Sequence, residues 1–127
     1  MLFVSSLAGS VAFYTRLMGC SVGITSDDAV LLIAPGGFQL YLVQVGDRAS
    51  HPTGSIGNQG ITWSTETAAE LREFADALRA AGAYTDTHSE GGVTFVEGRD
   101  PDDLRVLVTH PSPGEVPRTL VAARLFT

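Results

Sequence analysis

Apolar and polar residues alternate most clearly between Gly91 and Val108. Val93 to Glu97 has the alternation of a half-buried strand, and Gly98 to Asp103 has the composition of a turn, with Asp-Pro at its centre. Beyond the turn, alternate residues fall on opposite faces of a second strand. One face carries Leu104, Val106 and Val108, and the other carries Arg105, Leu107 and Thr109. The stretch therefore predicts a β-hairpin.

The same patterns predict strand, helix and three strands, in that order, twice along the chain. The first set is a strand over Leu2–Ser6, a connector over Leu7–Ser10, a helix over Val11–Met18, and strands over Ser21–Thr25, Ala29–Ala34 and Phe38–Val45. The second set is a strand over Gly60–Thr65, a helix that opens with a capping box from Thr67 to Glu70, a strand over Ala83–His88, and the hairpin. Gly19 and Gly82 end the two helices. The order indicates an internal duplication of a βαβββ unit.

Composition restricts the class of protein. The chain has 127 residues, of which 44% are hydrophobic, so it is long enough for one domain with a buried core. Its net charge is −6, and its eight basic residues are scattered arginines, which argues against a nucleic-acid partner. No apolar run approaches the roughly 18 residues that a membrane span requires. The N-terminus lacks the features of a signal peptide, so we expect a cytoplasmic protein.

The single cysteine and the three histidines do not by themselves indicate a functional site. Cys20 is the only cysteine, which excludes an intrachain disulfide, and its place beside Gly19 favours a small buried thiol. His51 lies in the polar linker Gly46–Gln59, where we expect it to be solvated. His88 and His110 do not fall at predicted positions that would form a set of metal ligands.

Two motifs resemble one known family, the vicinal-oxygen-chelate superfamily of glyoxalase I, bleomycin-resistance proteins and extradiol dioxygenases. Its last hairpin usually reads Asp-Pro-Asp-Gly-Asn. Asp100, Pro101 and Asp102 match this sequence, while Asp103 and Leu104 replace its glycine and asparagine. Its first helix usually reads Ser-x-x-Phe-Tyr-x-x-x-Leu-Gly. Ser10, Phe13, Tyr14 and Gly19 match this motif, with Met18 in the leucine position.

The resemblance implies an α+β fold in which two βαβββ modules form a cupped eight-stranded mixed sheet around a cleft, with helices on the convex side. We expect a single domain over residues 1–110, with modules at 1–45 and 58–110, followed by a C-terminal tail over 111–127. The family's cleft is often completed across a homodimer, and we expect one here.

Metal-using members of the family bind one divalent ion through four side chains. The corresponding positions in this chain fall just before Met1 and at Gln39, Gly60 and Leu107. Glycine and leucine offer no side-chain donor, and a catalytic divalent ion needs at least three protein ligands. We therefore expect a cleft without a metal and a protein without a cofactor.

The residues expected to face the cleft are those of a binding pocket, with apolar walls and a few polar groups. The candidate ligand-binding residues are Gln39, Tyr41, Thr62, Ser64, Arg105 and Leu107. Arg105 would bind an anionic group of a ligand, or form a salt bridge with Asp102 or Asp103. Trp63 is expected to face the helix, but a one-residue shift of its strand would bring it into the cleft as a stacking platform.

These expectations favour a metal-independent protein that binds an unidentified small molecule, as the drug-sequestering bleomycin-resistance proteins do, and that is not an enzyme. One alternative is a glyoxalase-like lyase or isomerase, or a dioxygenase-type enzyme, with a degenerate or truncated metal site. Another is a regulatory or interaction module that uses the apolar tail Arg118–Phe126. The tail would pack on its own domain or on a second subunit.

Overall fold

Two βαβββ modules follow one another in the computed structural model, as the sequence patterns predict. The structure describes residues 1–47, 56, 58–112 and 114–116. Predictions for His51 and for the tail beyond Val116 therefore lie outside the described residues. The ten elements are β1 (Leu2–Val4), α1 (Leu7–Met18), β2 (Ser21–Thr25), β3 (Ala29–Ile33), β4 (Gln39–Gln44), β5 (Gly60–Ser64), α2 (Ala68–Ala80), β6 (Tyr84–Glu90), β7 (Val93–Arg99) and β8 (Arg105–His110).

Helix α1 begins four residues earlier than predicted. Its N-cap is Ser6, whose hydroxyl accepts a hydrogen bond from the Gly9 amide at 3.3 Å. This cap satisfies one of the amides that a helix start leaves without a partner, so the small residues Leu7–Ser10 form the first turn of the helix. The predicted connector over these residues was wrong. The helix ends at Gly19, whose φ of 63° is the left-handed conformation that favours glycine.

Helix α2 has the predicted capping box. The Glu70 amide donates to the Thr67 hydroxyl at 3.1 Å, and the Glu70 carboxylate accepts from the Thr67 amide at 3.3 Å. Leu71, Ala75 and Leu78 are buried, as their helical spacing predicts. The capping box thus fixes the start of the helix, and the amphipathic pattern fixes the face that packs against the sheet.

The chain divides into two compact units, which we call the first and the second unit. The first comprises Met1–Ser50 with Asp100–Asp102, and the second comprises His51–Arg99 with Asp103–Thr127. Each contains a four-stranded mixed sheet. The strand order is β1-β4-β3-β2 in the first and β5-β8-β7-β6 in the second, and the β1–β4 and β5–β8 pairs are parallel.

In the first unit, the two stretches that carry the family resemblance meet. The Tyr14 hydroxyl donates to Asp100 Oδ2 at 2.7 Å in a buried hydrogen bond, and Asp100 Oδ1 accepts from the Asp102 amide at 2.9 Å. Asp102 Oδ2 in turn accepts from the Ser5 amide at 3.0 Å. Burial and the Asp100 carboxylate raise the pKa of Tyr14, so the phenol stays a neutral donor. The Asp-Pro-Asp turn therefore has a structural role, since it binds the first helix.

In the second unit, Gly98 is required by close packing. A Cβ atom at this position would lie 2.6 Å from the Ala83 carbonyl oxygen and 2.8 Å from a methyl carbon of Leu78. Because Leu78 belongs to α2, the glycine lets the helix pack directly on the backbone of β7. The helix thus covers one face of this sheet and leaves the other for the residues considered below.

Within the described part of the chain, no helix is both long enough and apolar enough to cross a membrane.

Candidate functional site

The first unit places Gln39 and Tyr41 together on one face of its sheet. In β4 they alternate with Leu40 and Leu42, which are buried on the side that α1 covers. Gln39 and Tyr41 therefore lie on the face opposite the helix. Both are exposed, with 40% of Tyr41 accessible to solvent. The other residues of the unit therefore do not cover these two candidate ligand-binding side chains.

The neighbours of these two residues make an apolar surface, which we call the first-unit face. Strand register places Leu31 beside Tyr41, Phe3 beside Val43, and Ile24 beside Leu31. Phe3 is 61% exposed and Ile24 is 63% exposed. The face consists of Phe3, Ile24, Leu31, Ile33, Gln39, Tyr41 and Val43, none of which is charged. It can therefore bind apolar and aromatic groups, with the Gln39 amide and the Tyr41 hydroxyl as polar contacts.

The second unit brings the other predicted residues onto one face of its sheet, which we call the second-unit face. The parallel register of β5 and β8 pairs Gly60 with Arg105, Thr62 with Leu107, and Ser64 with Thr109. Paired residues of neighbouring strands point to the same side of a sheet. Thr62, Ser64, Arg105 and Leu107 thus share a face, as the alternation of β8 predicts.

Trp63 lies on the opposite face. Its ring meets that of Phe74 in α2 edge to face, with ring centroids 5.8 Å apart. This is the register in which Trp63 faces the helix, and the alternative with a shifted strand is not adopted. Its Nε1 atom is buried and has no hydrogen-bond partner among the residues that the structure describes.

Leu107 sits in an apolar cluster on the second-unit face. It packs with Val93 and Phe95, and the partly buried Val116 packs against this cluster. Only 5% of Leu107 is exposed. This position is where the family resemblance implies a metal-binding glutamate, and its surroundings are those of a hydrophobic core.

Arg105 has a carboxylate partner within its own unit. Its Nε atom lies 2.8 Å from Glu97 Oε1, and the two side chains are 11% and 15% exposed. Glu97 is on β7, next to Leu107 in the register, so its side chain reaches diagonally along the same face. Sequence analysis considered Asp102 and Asp103 as partners and did not consider Glu97. A largely buried pair of this kind holds the guanidinium in one orientation.

Ser64 is also engaged by a neighbour. Its hydroxyl lies 3.0 Å from the Thr109 hydroxyl, and Thr109 is fully buried. The two form a cross-strand hydroxyl pair of the kind that stabilises a sheet. Thr62, one step along β5, is exposed, and it is therefore the more accessible of the two predicted hydroxyls.

Four titratable residues on the second-unit face were not among the candidates of the sequence analysis. Asp86 pairs with Glu97, His88 with Phe95 and Glu90 with Val93 across β6 and β7, so Asp86, His88, Glu90 and Glu97 share the face of Leu107. The His88 ring stacks on Phe95 with centroids 4.8 Å apart, and its Nδ1 atom lies 3.6 Å from Asp86 Oδ2. His110, by contrast, pairs with Thr94 on the other face, and its Nδ1 lies 3.2 Å from the Thr65 carbonyl oxygen.

The sequence contains a turn signal from which the register of β6 and β7 could have been predicted. Gly91 and Gly92 both have positive φ, at 59° and 80°, and the flanking Glu90 and Val93 are paired. Two consecutive residues of this kind form the tight turn that joins hairpin strands. Counting outward from Gly91-Gly92 would have placed His88 opposite Phe95.

The residues at the implied metal-ligand positions do not fit a divalent ion. A Cβ atom at Gly60 would lie 2.8 Å from the Arg105 carbonyl oxygen, so a larger side chain there requires a backbone shift. Leu107 is apolar and buried, which leaves Gln39 as the one side-chain donor at these positions. Across the described ranges, no group of three or more His, Cys, Asp or Glu side chains is placed to hold a metal ion.

Solved structures share this fold. A glyoxylase/bleomycin resistance protein/dioxygenase domain from Frankia sp. EAN1pec superposes with a TM-score of 0.74 at 20% identity, over 84% of this chain and 90% of that one. Lactoylglutathione lyase from Agrobacterium tumefaciens gives 0.65 at 22% identity, over 85% and 87%. The fosfomycin resistance protein FosX from Listeria monocytogenes, complexed with Mn(II) and sulfate, gives 0.69 at 16% identity, over 90% of each chain.

A comparison with curated protein sequences finds no match. The family model described as Glyoxalase/Bleomycin resistance protein/Dioxygenase superfamily, however, matches residues 1–108, which is most of the chain. Together with the two βαβββ modules and the motifs at Tyr14 and Asp100, this match confirms the resemblance. The chain belongs to the glyoxalase/bleomycin resistance protein/dioxygenase superfamily.

Proposed function

We propose that the chain is a metal-independent small-molecule-binding protein, similar in role to the drug-sequestering bleomycin-resistance proteins. The observation that carries the proposal is the environment of Leu107. At the family's metal-ligand position, this residue is buried with Val93 and Phe95 instead of presenting a donor. A leucine in such a cluster provides an apolar wall for a ligand, whereas the metal-assisted chemistry of the family requires oxygen or nitrogen donors.

The first-unit face supports the same proposal. Tyr41 is exposed beside Leu31, Phe3 is exposed on the next strand beside Val43, and Gln39 offers an amide at the end of β4. Exposed aromatic rings contribute large contact areas at low conformational cost and prefer to stack on flat, unsaturated ligands. We therefore propose that the ligand is largely apolar and contains an aromatic ring.

We extend the proposal to a homodimer. Monomeric proteins rarely leave several large apolar side chains exposed on one sheet face, and Phe3, Ile24 and Tyr41 are all at least 40% exposed. A second copy would shield part of this surface and complete a ligand site. Sedimentation velocity of the purified protein should give a mass near twice 13.4 kDa.

Metal and ligand binding can be measured on one sample. Elemental analysis of protein purified without chelators is expected to find far less than one equivalent of Zn, Ni, Mn or Fe per chain. A thermal-shift screen against antibiotics and aromatic metabolites is expected to find compounds that raise the melting temperature, because a ligand that binds only the folded state stabilises it. At a ligand concentration about 100 times Kd, the stabilisation is about 2.7 kcal/mol.

Matched variants locate the binding. Tyr41→Ala and Phe3→Ala should abolish the thermal shift of an active compound. Val22→Ala should leave it unchanged, since Val22 is equally exposed but pairs with Leu32 on the helix-covered side of the sheet. One equivalent of bound divalent metal, released by Gln39→Ala, would contradict the proposal.

A second candidate function is a metal-independent enzyme, and the second-unit face favours it. His88 lies 3.6 Å from Asp86, and Glu97 is on the neighbouring strand beside Asp86. An imidazole close to a carboxylate can accept a proton from a substrate, and such pairs are common general bases. This arrangement provides the titratable groups that an enzyme of this fold needs in the absence of a metal.

Activity measurements separate the two candidates. If the chain is a binding protein, lactoylglutathione lyase and fosfomycin-modifying activities should equal the uncatalysed rates, with or without added Mn²⁺, Ni²⁺ or Zn²⁺. Turnover that is lost in His88→Ala and retained in His110→Ala would instead establish the enzyme. His110 is the appropriate control because it lies on the opposite face of the same sheet.

A further inference from the structure

We propose that the chain carries its own competitor for the ligand on the second-unit face. The competitor is the turn that follows β8 and contains Ser112, Glu115 and Val116, which we call the C-terminal cap. This inference rests on the proposed function and adds regulation to the same site, because a ligand must displace Val116 to reach Leu107.

The contact of Val116 defines where the cap lies. It packs against the cluster of Val93, Phe95 and Leu107, three residues that are each less than 9% exposed. Leu107 is one of the predicted ligand-binding residues. The apolar surface that a ligand would use is thus already occupied by a side chain from the same unit, whose isopropyl group stands in the position of an apolar ligand group.

The hydrogen bonds of the cap are internal to it. The Glu115 and Val116 amides donate to the Ser112 carbonyl at 3.0 and 3.1 Å, and the Ser112 amide donates to Glu115 Oε2 at 3.0 Å. These bonds shape the turn but do not anchor it to the sheet, so a cap released from the sheet can open and exchange its amides. Release of the cap therefore exposes little more than one valine side chain and its contact surface, a cost that an apolar ligand of similar size offsets.

The occupant also indicates the ligand chemistry at this place. Val116 is uncharged and branched. It is half-buried, so it covers only part of the aromatic and aliphatic side chains beneath it. A ligand that replaces it presents a compact apolar group to Phe95 and Leu107. The cap excludes ligands that are charged at this end, because they cannot recover the contact that Val116 gives up.

The test compares the full-length protein with its Val116→Ser variant, with the neutral solvatochromic dye Nile red as the probe. The dye is expected to bind the variant about tenfold more tightly, because the apparent affinity rises as the competing closed state is depopulated. In the wild-type protein, the dye should accelerate hydrogen exchange at the Glu115 and Val116 amides, since two groups that compete for one surface destabilise each other's bound state.

The outcomes are distinguishable. Val22→Ser, which also removes a valine but from the first unit, should leave the dye affinity at the wild-type value. Equal dye affinity in wild type and Val116→Ser would overturn the cap while leaving the proposed binding function standing. Binding without faster exchange of the two cap amides would overturn it as well, and no binding to either protein would contradict both the cap and the proposed function.

Discussion

Replacing Leu107 by glutamate is expected to lower the free energy of unfolding by about 3–5 kcal/mol, the usual cost of an uncompensated buried charge. The substitution restores the side chain that metal-using relatives carry at this position. The new carboxylate would lie among Val93, Phe95 and Val116, at a position where only 5% of the wild-type leucine is exposed. These three neighbours offer no cation and no hydrogen-bond donor from their side chains, and Arg105 on the same face is already paired with Glu97. The carboxylate therefore loses its hydration with little compensation. We expect no metal to bind, because Gly60 remains without a donor.

Denaturant unfolding at neutral pH measures the loss in the free energy of unfolding. Two control variants separate the part caused by the shape of the new side chain from the part caused by its charge. Leu107→Gln has the shape of glutamate without the charge and should be destabilised by less. Leu107→Met keeps an apolar side chain of similar volume and should cost less than about 1.5 kcal/mol. A Leu107→Glu protein that is as stable as the wild type and binds one divalent ion would contradict our interpretation of this cluster.

Several features of the fold follow from short sequence signals because the physics behind them is local. Thr67 and Glu70 form a capping box wherever they stand at the start of a helix, and this box was predicted correctly. The alternation of β8 likewise places Leu107 opposite Val106 without reference to other strands. The two motifs of the family were predicted as separate signals, and the hydrogen bond from Tyr14 to Asp100 explains why they occur together.

The features that were missed depend on contacts between strands or on competition between local structures. The start of α1 was misplaced because Gly9 and its small neighbours resemble a loop, and the cap by Ser6 outweighs their low helix propensity. The position of Glu97 beside Arg105 requires the register of β7 against β8, which alternation within one strand does not determine. The packing of Val116 against the cluster that contains Leu107 depends on the path of the chain after β8, for which proline-rich sequence carries no periodic signal.

The two sheet faces consequently have different chemistry, although the modules share one topology. The first-unit face is uncharged and exposed, whereas the second-unit face contains Glu97, Arg105, Asp86 and His88 around an apolar centre. Duplication supplies two equivalent frameworks, and substitution then specialises each face separately.

Replacing Glu97 by glutamine is expected to destabilise the protein by about 3 kcal/mol, the lower end of the range for breaking a buried ion pair. The largely buried guanidinium of Arg105 would lose a carboxylate at 2.8 Å and face a weaker amide oxygen in its place. Glu90→Gln is the matched control, because Glu90 belongs to the same sheet but is exposed. Its effect should stay within about 0.5 kcal/mol.

A double-mutant cycle with Arg105→Met isolates the pair. The double variant should be more stable than the sum of the two single losses predicts, because neither charge is left without its partner. Without the competing Glu97 carboxylate, Arg105 should attract anionic compounds more strongly, so the Glu97→Gln variant is expected to bind an aromatic carboxylate more tightly than the wild type does. Additive losses in the cycle, together with unchanged affinity for the carboxylate, would show that the pair neither stabilises the sheet nor restricts the charge of the ligand.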